Sequence, residues 1–365
     1  MSVYANWSGA MANLFGVTDD WVEAPEDADE FFTRAEELCW GDGLPIIPPT
    51  AARIAAMMEQ AQLDPDDELG VMPPGEGVAT VAKIAANAVM AGCPKGVFPV
   101  VVTAVQAMLQ REFNLNGLQS TTHPVAPLVV VHGPAVRELS FNAAAGAFGP
   151  GCRANATVGR AVRLCLLNIG GARPGERDRA TQGQPSKFSF CIAENAEASP
   201  WPPYTVECAG LNADQSAVTI FGGENPHNVN DHVSTDAVGI LSMAASNIAV
   251  LGANNAHYSG GDYFVVLGPE HAATVAASGF SRRDVQMWLY EHARSSLADL
   301  KQGGMWGMQA WPAWKNAETN DAALIPPVDS PEAYRVLVAG GPGKHSSVLP
   351  GFGITRCVTR PIRVG

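Results

Sequence analysis

The fold is decided by two neighbouring stretches, LVVVHGP at residues 128–134 and GAFGPGCRANATVGRAVRLCLLNIGG at residues 146–171. The first is a continuous apolar run closed by Gly-Pro, which predicts a buried strand. The second begins as a glycine-rich loop and continues with an apolar stripe at helical spacing, which predicts a helix over 153–169. The stripe consists of Val158, Ala161, Val162, Cys165 and Ile169. A strand followed by a helix is the unit of an α/β fold.

The same alternation of apolar strands and helical patterns extends along most of the chain. Further strands are predicted at 44–47, 69–74, 188–192, 217–221, 263–267, 335–338 and 355–361. Further helices are predicted at 29–39, 50–61, 79–91, 97–109, 234–248, 269–279 and 281–294. This order predicts an α/β protein with a largely parallel sheet, or sheets, and helices on both faces.

The length of 365 residues exceeds that of one average domain and favours two packed α/β lobes. We expect an N-terminal arm at 1–28, a first lobe at 29–185 and a second lobe at 186–365. Residues 302–331, which hold three tryptophans and several prolines without any period, are expected to form a covering loop within the second lobe. The sequence shows no internal repeat.

Charged residues make up only 16% of the chain, against about 25% in ordinary soluble domains, while 47% are hydrophobic. This composition excludes disorder as the main state, because disordered chains combine low hydrophobicity with high charge. A surface so poor in charge leaves apolar area that subunit contacts would cover. We therefore expect a homo-oligomer.

The charge pattern also excludes several classes of partner. The net charge is −13 and no run of Lys or Arg is present, so nucleic acid is not expected to bind. No segment reaches the roughly 18 apolar residues of a membrane span. The first 33 residues contain no Lys or Arg, the opposite of a targeting segment, and the predicted location is the cytoplasm.

Seven cysteines without any C-x-x-C pair argue against a disulfide framework. The thiol with the strongest claim to chemistry is Cys93, in the turn Gly92-Cys93-Pro94-Lys95-Gly96, where the neighbouring Lys95 would lower its pKa. The negative end of the preceding helix would raise that pKa, and a small apolar residue in a turn is the alternative interpretation. Cys191, in a predicted strand, is the second candidate thiol.

The glycine-rich loop before the 153–169 helix indicates an anion site. Free backbone N–H groups at a helix N-terminus, beside an arginine, suit a carboxylate or a phosphate. The predicted substrate-binding residues here are Gly151, Arg153, Asn155 and Thr157. The glycine spacing matches neither a dinucleotide fingerprint nor a P-loop, so no nucleotide cofactor is indicated. The alternative is a loop whose glycines serve packing.

The run Pro226-His227-Asn228-Val229-Asn230-Asp231-His232 suggests a metal site. Two imidazoles in a loop, joined by His257, could hold a divalent zinc or iron ion with an open position for catalysis. A hydrogen-bonded polar loop or a subunit contact is the alternative, since this histidine spacing is unspecific. Beyond this metal, no cofactor is indicated.

A second glycine loop, Ala339-Gly340-Gly341-Pro342-Gly343-Lys344-His345-Ser346-Ser347, follows a predicted buried strand. Loops at the carboxyl ends of strands hold the sites of open α/β folds. His345 can act as a general acid or base, while Lys344 and Ser346 can orient an anion. The alternative is a surface turn.

Four runs carry a family resemblance: residues 42–50 (DGLPIIPPT), 87–93 (NAVMAGC), 153–161 (RANATVGRA) and 194–202. They resemble the large proteins associated with the UGSC-like family, named for selenoproteins with a selenocysteine-Gly-Ser-Cys motif. This chain has no Gly-Ser-Cys, and its nearest analogue is Gly343–Ser347. The resemblance implies an enzyme with a glycine-loop site and a thiol. Cys93 lies inside one matching run, and Glu194, which begins another, is a further predicted catalytic residue.

These observations favour a cytoplasmic enzyme that acts on a small anionic organic molecule by cysteine-dependent chemistry, either redox or nucleophilic. A thiol-dependent oxidoreductase or transferase is the favoured class, with Cys93 as the thiol and His345 as the proton-transfer group. A metal-dependent hydrolase or lyase using His227, His232 and His257 is the first alternative. A non-catalytic subunit that docks a partner enzyme is the second.

Overall fold

A computed structural model describes residues 3–5, 22–59, 61, 63–302 and 312–362. Residues 6–21 of the predicted arm and 303–311 of the predicted covering loop lie outside the described residues. The helices are α1 (Ala28–Glu37), α2 (Ala51–Met58), α3 (Val81–Ala91), α4 (Phe98–Met108), α5 (Leu115–Gln119), α6 (Ala135–Glu138), α7 (Arg153–Asn168), α8 (Tyr204–Ala209), α9 (Ala237–Ile248), α10 (Asn254–Tyr258), α11 (Pro269–Ala277), α12 (Arg282–His292), α13 (Leu297–Gln302) and α14 (Ala313–Ala317).

The described strands are β1 (Val3–Ala5), β2 (Val22–Ala24), β3 (Glu68–Met72), β4 (Gly77–Thr80), β5 (Ala126–His132), β6 (Cys191–Ala193), β7 (Ala217–Gly223), β8 (His227–Asn230), β9 (Tyr263–Leu267), β10 (Ser295–Ser296), β11 (Leu324–Ile325), β12 (Tyr334–Val338), β13 (His345–Leu349) and β14 (Val358–Pro361). Eight of them form two four-stranded sheets, the first in the order β6-β5-β7-β14 and the second in the order β12-β9-β13-β8. Among the described helices, none is long and apolar enough to cross a membrane.

The two large sheets pack face to face. Along each strand, alternate side chains point to opposite faces, so one set faces the other sheet and one set faces helices. The inner set forms a single buried cluster that includes Leu128 and Phe221 of the first sheet and Phe264 and Leu337 of the second. Helices α3, α4 and α7 cover the outer face of the first sheet, and α9, α11 and α12 cover that of the second. The result is a four-layer arrangement of helices, sheet, sheet and helices.

Both sheets have the same construction. A central strand, β5 or β9, pairs in parallel with the edge strand that follows a helix, β6 or β12. The central strand also pairs antiparallel with a later strand, β7 or β13. The fourth strand comes from the other half of the chain, since β8 follows β7 but pairs with β13, while β14 follows β13 but pairs with β7. The protein therefore contains two copies of one motif that exchange their last strands.

This repeat was missed at the sequence level because the two motifs share topology rather than residues. Buried strands accept many combinations of Val, Ile, Leu and Phe, so the same strand order leaves little identity. One short signal is present: both central strands end in a Gly-Pro pair, Gly133-Pro134 after β5 and Gly268-Pro269 after β9. In each pair the proline leads into a helix, α6 or α11.

The predicted α/β class is confirmed, but the sheets are mixed rather than largely parallel. Within the described residues of the two large sheets, only the pairs β5–β6 and β9–β12 are parallel. The reason is that a continuous apolar run indicates burial on both faces and carries no information on the direction of its neighbour. The predicted lobe boundary between residues 185 and 186 falls within the first sheet, because β6 and β7 pair there with β5.

Helix α7 lies against the start of β6 at a glycine. A Cβ atom at Gly159 would lie 2.4 Å from the backbone nitrogen of Phe190 and 2.5 Å from Oγ of Ser189. The close approach of helix and strand therefore requires the absence of a side chain. Ser189 adds a link between the two segments, since its hydroxyl donates to the carbonyl oxygen of Ala156 at 2.7 Å.

We predict that Gly159→Ala lowers the free energy of unfolding by about 1 to 3 kcal/mol, because the added methyl group meets backbone that cannot move freely. The measurement is chemical denaturation of both proteins. Gly252→Ala is the matched control, since no heavy atom lies within 4 Å of its added Cβ, and it should change stability little. Equal stability of the two variants would contradict the predicted contact.

Candidate functional site

A cleft opens where the two predicted glycine loops meet. Its walls are residues 145–149, which follow the first motif's α6, residues 339–343, which follow β12, and the beginning of β13. Asn228 of β8 and Gly268 after β9 complete the lining, and the cleft has a volume of about 330 Å³. We call it the glycine cleft. The structure thus brings together two loops that the sequence analysis had each proposed as part of an anion site.

Two strands of this region were predicted as loops. His345, Ser346 and Ser347 belong to β13, and His227 and Asn228 belong to β8. The two strands pair antiparallel, with His345 opposite Asn230 and Ser347 opposite Asn228. Both segments are polar because β8 is an edge strand and the beginning of β13 borders the cleft, so neither shows the apolar pattern of a buried strand. The loop predictions for these residues are therefore wrong.

His345 is the titratable side chain that lines the glycine cleft. Its Nδ1 lies 3.1 Å from Oδ1 of Asn228, and its ring meets that of His232 edge to face, with the ring centroids 4.9 Å apart. Because an amide oxygen only accepts hydrogen bonds, Nδ1 carries the proton in the neutral ring. Nε2 then keeps its lone pair. In this tautomer His345 can accept a proton at Nε2 from a bound molecule and return it.

Backbone contacts hold the loop 340–343 in place. The N–H of Gly340 donates to the carbonyl oxygen of Ala143 at 2.8 Å, and the N–H of Gly343 donates to Oε1 of Glu270 at 2.7 Å. At Gly341 the two glycine loops nearly touch, because an added Cβ would lie 2.6 Å from the Cβ of Ala145. The glycines therefore serve both close packing and a cleft wall made of backbone.

The lining of the glycine cleft favours an anion. Among the described residues that form it none is acidic, although the whole chain carries 36 Asp and Glu and a net charge of −13. The wall offers glycine backbone, the His345 ring and the Asn228 amide. Lys344 lies beside it and donates from Nζ to the carbonyl oxygen of His232 at 3.1 Å. The N–H groups of Gly340 and Gly343 are already bonded to Ala143 and Glu270, so the groups here that suit an anion are the N–H of Gly341 and the Lys344 ammonium.

Ser346, predicted to bind substrate, has its hydroxyl in a different contact. Oγ accepts from the N–H of Gly268 at 3.1 Å and lies 2.7 Å from Nδ1 of His271, whose Nε2 faces the carbonyl oxygen of Asp231 at 2.9 Å. Ser216, just before β7 in the first motif, accepts from the N–H of Ala135 at 2.8 Å. Each serine therefore accepts from a backbone N–H in the turn after a central strand and helps to fix that turn.

The corresponding strand ends in the first motif are filled by protein. Glu194, predicted to be catalytic, accepts from His132 Nδ1 at 2.7 Å and from the N–H of Tyr204 at 2.7 Å. The Tyr204 ring stacks on His132 with a centroid distance of 5.3 Å, and all three side chains are buried. His132 also contacts Oγ1 of Thr219 at 2.9 Å. Of the two equivalent strand ends, the first is closed by Tyr204 and the second forms the glycine cleft.

The remaining predicted anion-binding residues lie outside the glycine cleft. Arg153 donates from Nε to the carbonyl oxygen of Gly92 at 2.9 Å, and the Thr157 hydroxyl donates to the carbonyl oxygen of Arg153 at 2.7 Å. Gly151 adopts a positive φ of 114° in the turn before α7. Asn155 is buried and lines a second cavity next to the cleft. Within the predicted glycine-rich loop, Gly149 and the residues before it, 146–148, line the glycine cleft.

Cys93 has the properties of a structural thiol. Its side chain is buried, and burial raises its pKa to about 12, although an interaction with the Thr157 side chain and the charges of Arg153 and Arg160 act in the opposite direction. The thiol donates to the carbonyl oxygen of Thr157 at 3.3 Å and does not line the glycine cleft. Lys95, which the sequence analysis expected to activate Cys93, is not among the groups that shift its pKa.

The three histidines predicted to bind a metal do not form a site. His227 is exposed on β8, His232 lies beyond the end of that strand next to His345, and His257 is buried in α10. Among the described residues, no three His, Cys, Asp or Glu side chains are arranged to hold a metal ion. The prediction failed because β8 is extended, so that histidines five positions apart in sequence are carried away from one another.

Two cleft residues were not singled out from the sequence. Asn228 was noticed only as part of the histidine run, and Phe148 only as part of the glycine loop. The signal for Asn228 was the polar–apolar alternation of His227-Asn228-Val229-Asn230, which is typical of a strand. Comparison with known proteins adds no further residue: no family, no curated protein and no solved structure matches this chain.

We predict that Cys93 resists alkylation in the folded protein at pH 7.5, because the thiolate is the reactive form and its pKa is far higher. Iodoacetamide labelling followed by peptide mass spectrometry measures this. The exposed Cys39 is the internal control and should be modified under native conditions, whereas Cys93 should be modified only after unfolding. Labelling of native Cys93 at the rate of Cys39 would restore the reactive-thiol interpretation.

We predict that Glu194→Gln lowers the free energy of unfolding by about 2 kcal/mol at pH 7, because charged hydrogen bonds are lost. Burial acts to raise the pKa of Glu194, but the bonds from His132 and Tyr204 outweigh it and hold that pKa below its usual value. The carboxylate therefore stabilises the fold above the unfolded pKa of about 4.3, and this contribution is lost as the pH falls through the lower folded value.

Urea unfolding at several pH values tests the prediction for Glu194→Gln. The difference between wild type and Glu194→Gln should shrink as the pH falls below about 4. Glu197→Gln, at an exposed position in the same segment, is the control and should have little effect at any pH. A difference between wild type and Glu194→Gln that is the same at every pH would contradict the assigned pKa.

Proposed function

We propose that the protein is an enzyme that acts on a small anionic organic molecule bound in the glycine cleft, with His345 as the proton-transfer group. One observation carries this proposal. Two glycine loops far apart in sequence form a cleft without acidic lining in a strongly acidic chain, and an imidazole borders that cleft. The equivalent end of the other motif gives further support, since there Tyr204 is buried and stacks on His132.

The proposed mechanism divides binding from proton transfer. The N–H of Gly341 and the nearby Lys344 attract the anionic group of the substrate. His345, oriented through Nδ1 by the amide oxygen of Asn228, takes a proton from the substrate at Nε2 or donates one there. Asn228 is a positioning residue in this scheme: it fixes the tautomer and the direction of the ring.

The thiol chemistry expected from the sequence is not retained for Cys93, because a buried thiol with a raised pKa is a poor nucleophile. We keep membership of the UGSC-like family as a proposal. Its support is that Gly343 and His345–Ser347, the segment nearest to the family's motif, line the glycine cleft. Cytoplasmic location and a homo-oligomeric state belong to the same proposal and rest on composition alone.

The test is ligand capture followed by mutation. The purified protein is incubated with a metabolite extract, washed by rapid desalting and measured by native mass spectrometry. Wild type should retain an anionic small molecule, which then serves as substrate candidate. We predict that His345→Ala lowers its turnover about 100-fold to 10,000-fold, the usual range for a general acid or base. Asn228→Ala should lower turnover less and shift its pH profile, since only the ring orientation is lost.

His292→Ala is the matched control, because it removes a histidine from α12 that stacks on Trp288 and lines neither the cleft nor its neighbour. Its ligand retention and turnover should equal those of wild type. The proposal is refuted if wild type retains no anion from extracts, or if His345→Ala turns over the retained molecule as fast as wild type does.

A further inference from the structure

A second cavity adjoins the glycine cleft. It has a volume of about 640 Å³ and lies between the start of α7, the segment 185–191 and the connection between β7 and β8. Phe148 and Gly149 line both spaces, so they form the partition between them. We call this second space the side cavity. Together the two volumes fall in the range that proteins use for organic ligands.

The lining of the side cavity is uncharged. Phe148 and Phe190 both line it, in a tilted ring contact with their centroids 6.4 Å apart, and Pro150, Pro185 and Pro226 contribute further apolar surface. Among its described lining residues there is no Asp, Glu, Lys, Arg or His. A charged group would lose its hydration here without a counter-charge, whereas an apolar group would gain by leaving water.

Polar side chains at the cavity wall already have protein partners. The buried amide of Asn155 accepts from the N–H of Asn142 at 2.8 Å and donates to its carbonyl oxygen at 2.9 Å. The hydroxyl of Ser189 donates to the carbonyl oxygen of Ala156, and that of Ser186 contacts Asn225. These groups therefore stabilise the wall and need few hydrogen bonds from a ligand. The cavity is preformed, and an apolar occupant leaves no wall group unpaired.

Cys191 lines the side cavity as a neutral thiol. Burial raises its pKa well above the ordinary value, and the nearby thiols of Cys152 and Cys93 act in the same direction. A thiol in this state is a small, weakly polar group that packs against apolar ligands. The second candidate thiol of the sequence analysis thus contributes to binding surface, and no covalent step at Cys191 is needed.

We infer that the glycine cleft and the side cavity form one composite site, and that the substrate is an amphipathic carboxylate whose uncharged aryl or alkyl body occupies the side cavity. This inference rests on the proposed function and adds the substrate class. The anionic group lies against the backbone of the loop 340–343, near His345. The body passes Phe148 and packs against Phe190 and the prolines.

A ligand series tests the inference by isothermal titration calorimetry. The probes are acetate, phenylacetate, 4-phenylbutyrate and the neutral amide of 4-phenylbutyrate. We predict that 4-phenylbutyrate binds at least tenfold more tightly than acetate, because its body leaves water. The neutral amide should bind at least tenfold more weakly than 4-phenylbutyrate. Phenylacetate should lie between acetate and 4-phenylbutyrate.

One variant separates the two compartments. Ala156 is exposed on the first turn of α7 and lines the side cavity, so Ala156→Trp fills that space from a position that tolerates a larger side chain. Ala156→Trp should abolish the higher affinity of 4-phenylbutyrate relative to acetate and leave the affinity for acetate unchanged. Ala52→Trp, at an exposed position of α2 outside both spaces, is the control and should leave the whole series unchanged.

The outcomes distinguish this inference from the proposed function. One outcome is that acetate binds, that His345→Ala weakens acetate binding, and that the longer acids bind no more tightly than acetate. This outcome refutes the composite site, while the glycine cleft stands as an anion site. Equal affinity of the neutral amide and the acid would also overturn the inference. If no acid binds and His345→Ala changes nothing, the proposed function fails together with it.

Discussion

The contact between the two sheets is the constraint on which the rest of the structure depends. At its centre the rings of Phe221 and Phe264 lie 4.8 Å apart, one from β7 and the other from β9. Around them Leu128, Leu337 and other inner side chains form a buried, mainly apolar cluster. Aromatic pairs in such offset geometry add to the free energy that burial alone supplies. Because both sheets are fixed here, the positions of their strand ends are fixed as well.

The strand exchange then determines where a ligand can bind. Strand β8 leaves the first motif and pairs with β13, which brings Asn228 beside His345. The loop 145–149 also comes from the first motif and forms the opposite wall of the glycine cleft. Residues of both motifs therefore surround one space. At the equivalent end of the first motif Tyr204 is buried and stacks on His132, so the two motifs differ at this position.

Local features of the fold were predictable from sequence, whereas long-range pairing was not. Thr50 caps α2, Gly92 ends α3 in the left-handed region and Ser281 forms a capping box with Asp284, all as their local patterns indicated. Strand order depends on contacts between residues more than a hundred positions apart, as between β7 and β14. No local pattern encodes such a pairing, so the sheets were expected to be parallel and the exchange was not foreseen.

The candidate site shows the same division between local features, which were predictable, and long-range contacts, which were not. The glycine loops and His345 were identified because glycine clusters and an imidazole are visible in any local window. The meeting of the two loops in one cleft could only be a hypothesis. The polar strands β8 and β13 were mistaken for loops, because the burial of each strand depends on its pairing with the other. For Cys93, sequence indicated a neighbouring lysine, but its pKa is raised by burial, and burial depends on how distant elements pack around the thiol.

The exchanged strands also bear on how the chain is made. Strand β14 consists of residues 358–361 and completes the first sheet, whose central strand begins at residue 126. During synthesis from the N-terminus, this sheet therefore has an unpaired edge at β7 until residues 358–361 have been added. An open edge of that kind can pair with other chains. The first motif consequently depends on β14 for protection, and a product truncated before residue 358 would lack it.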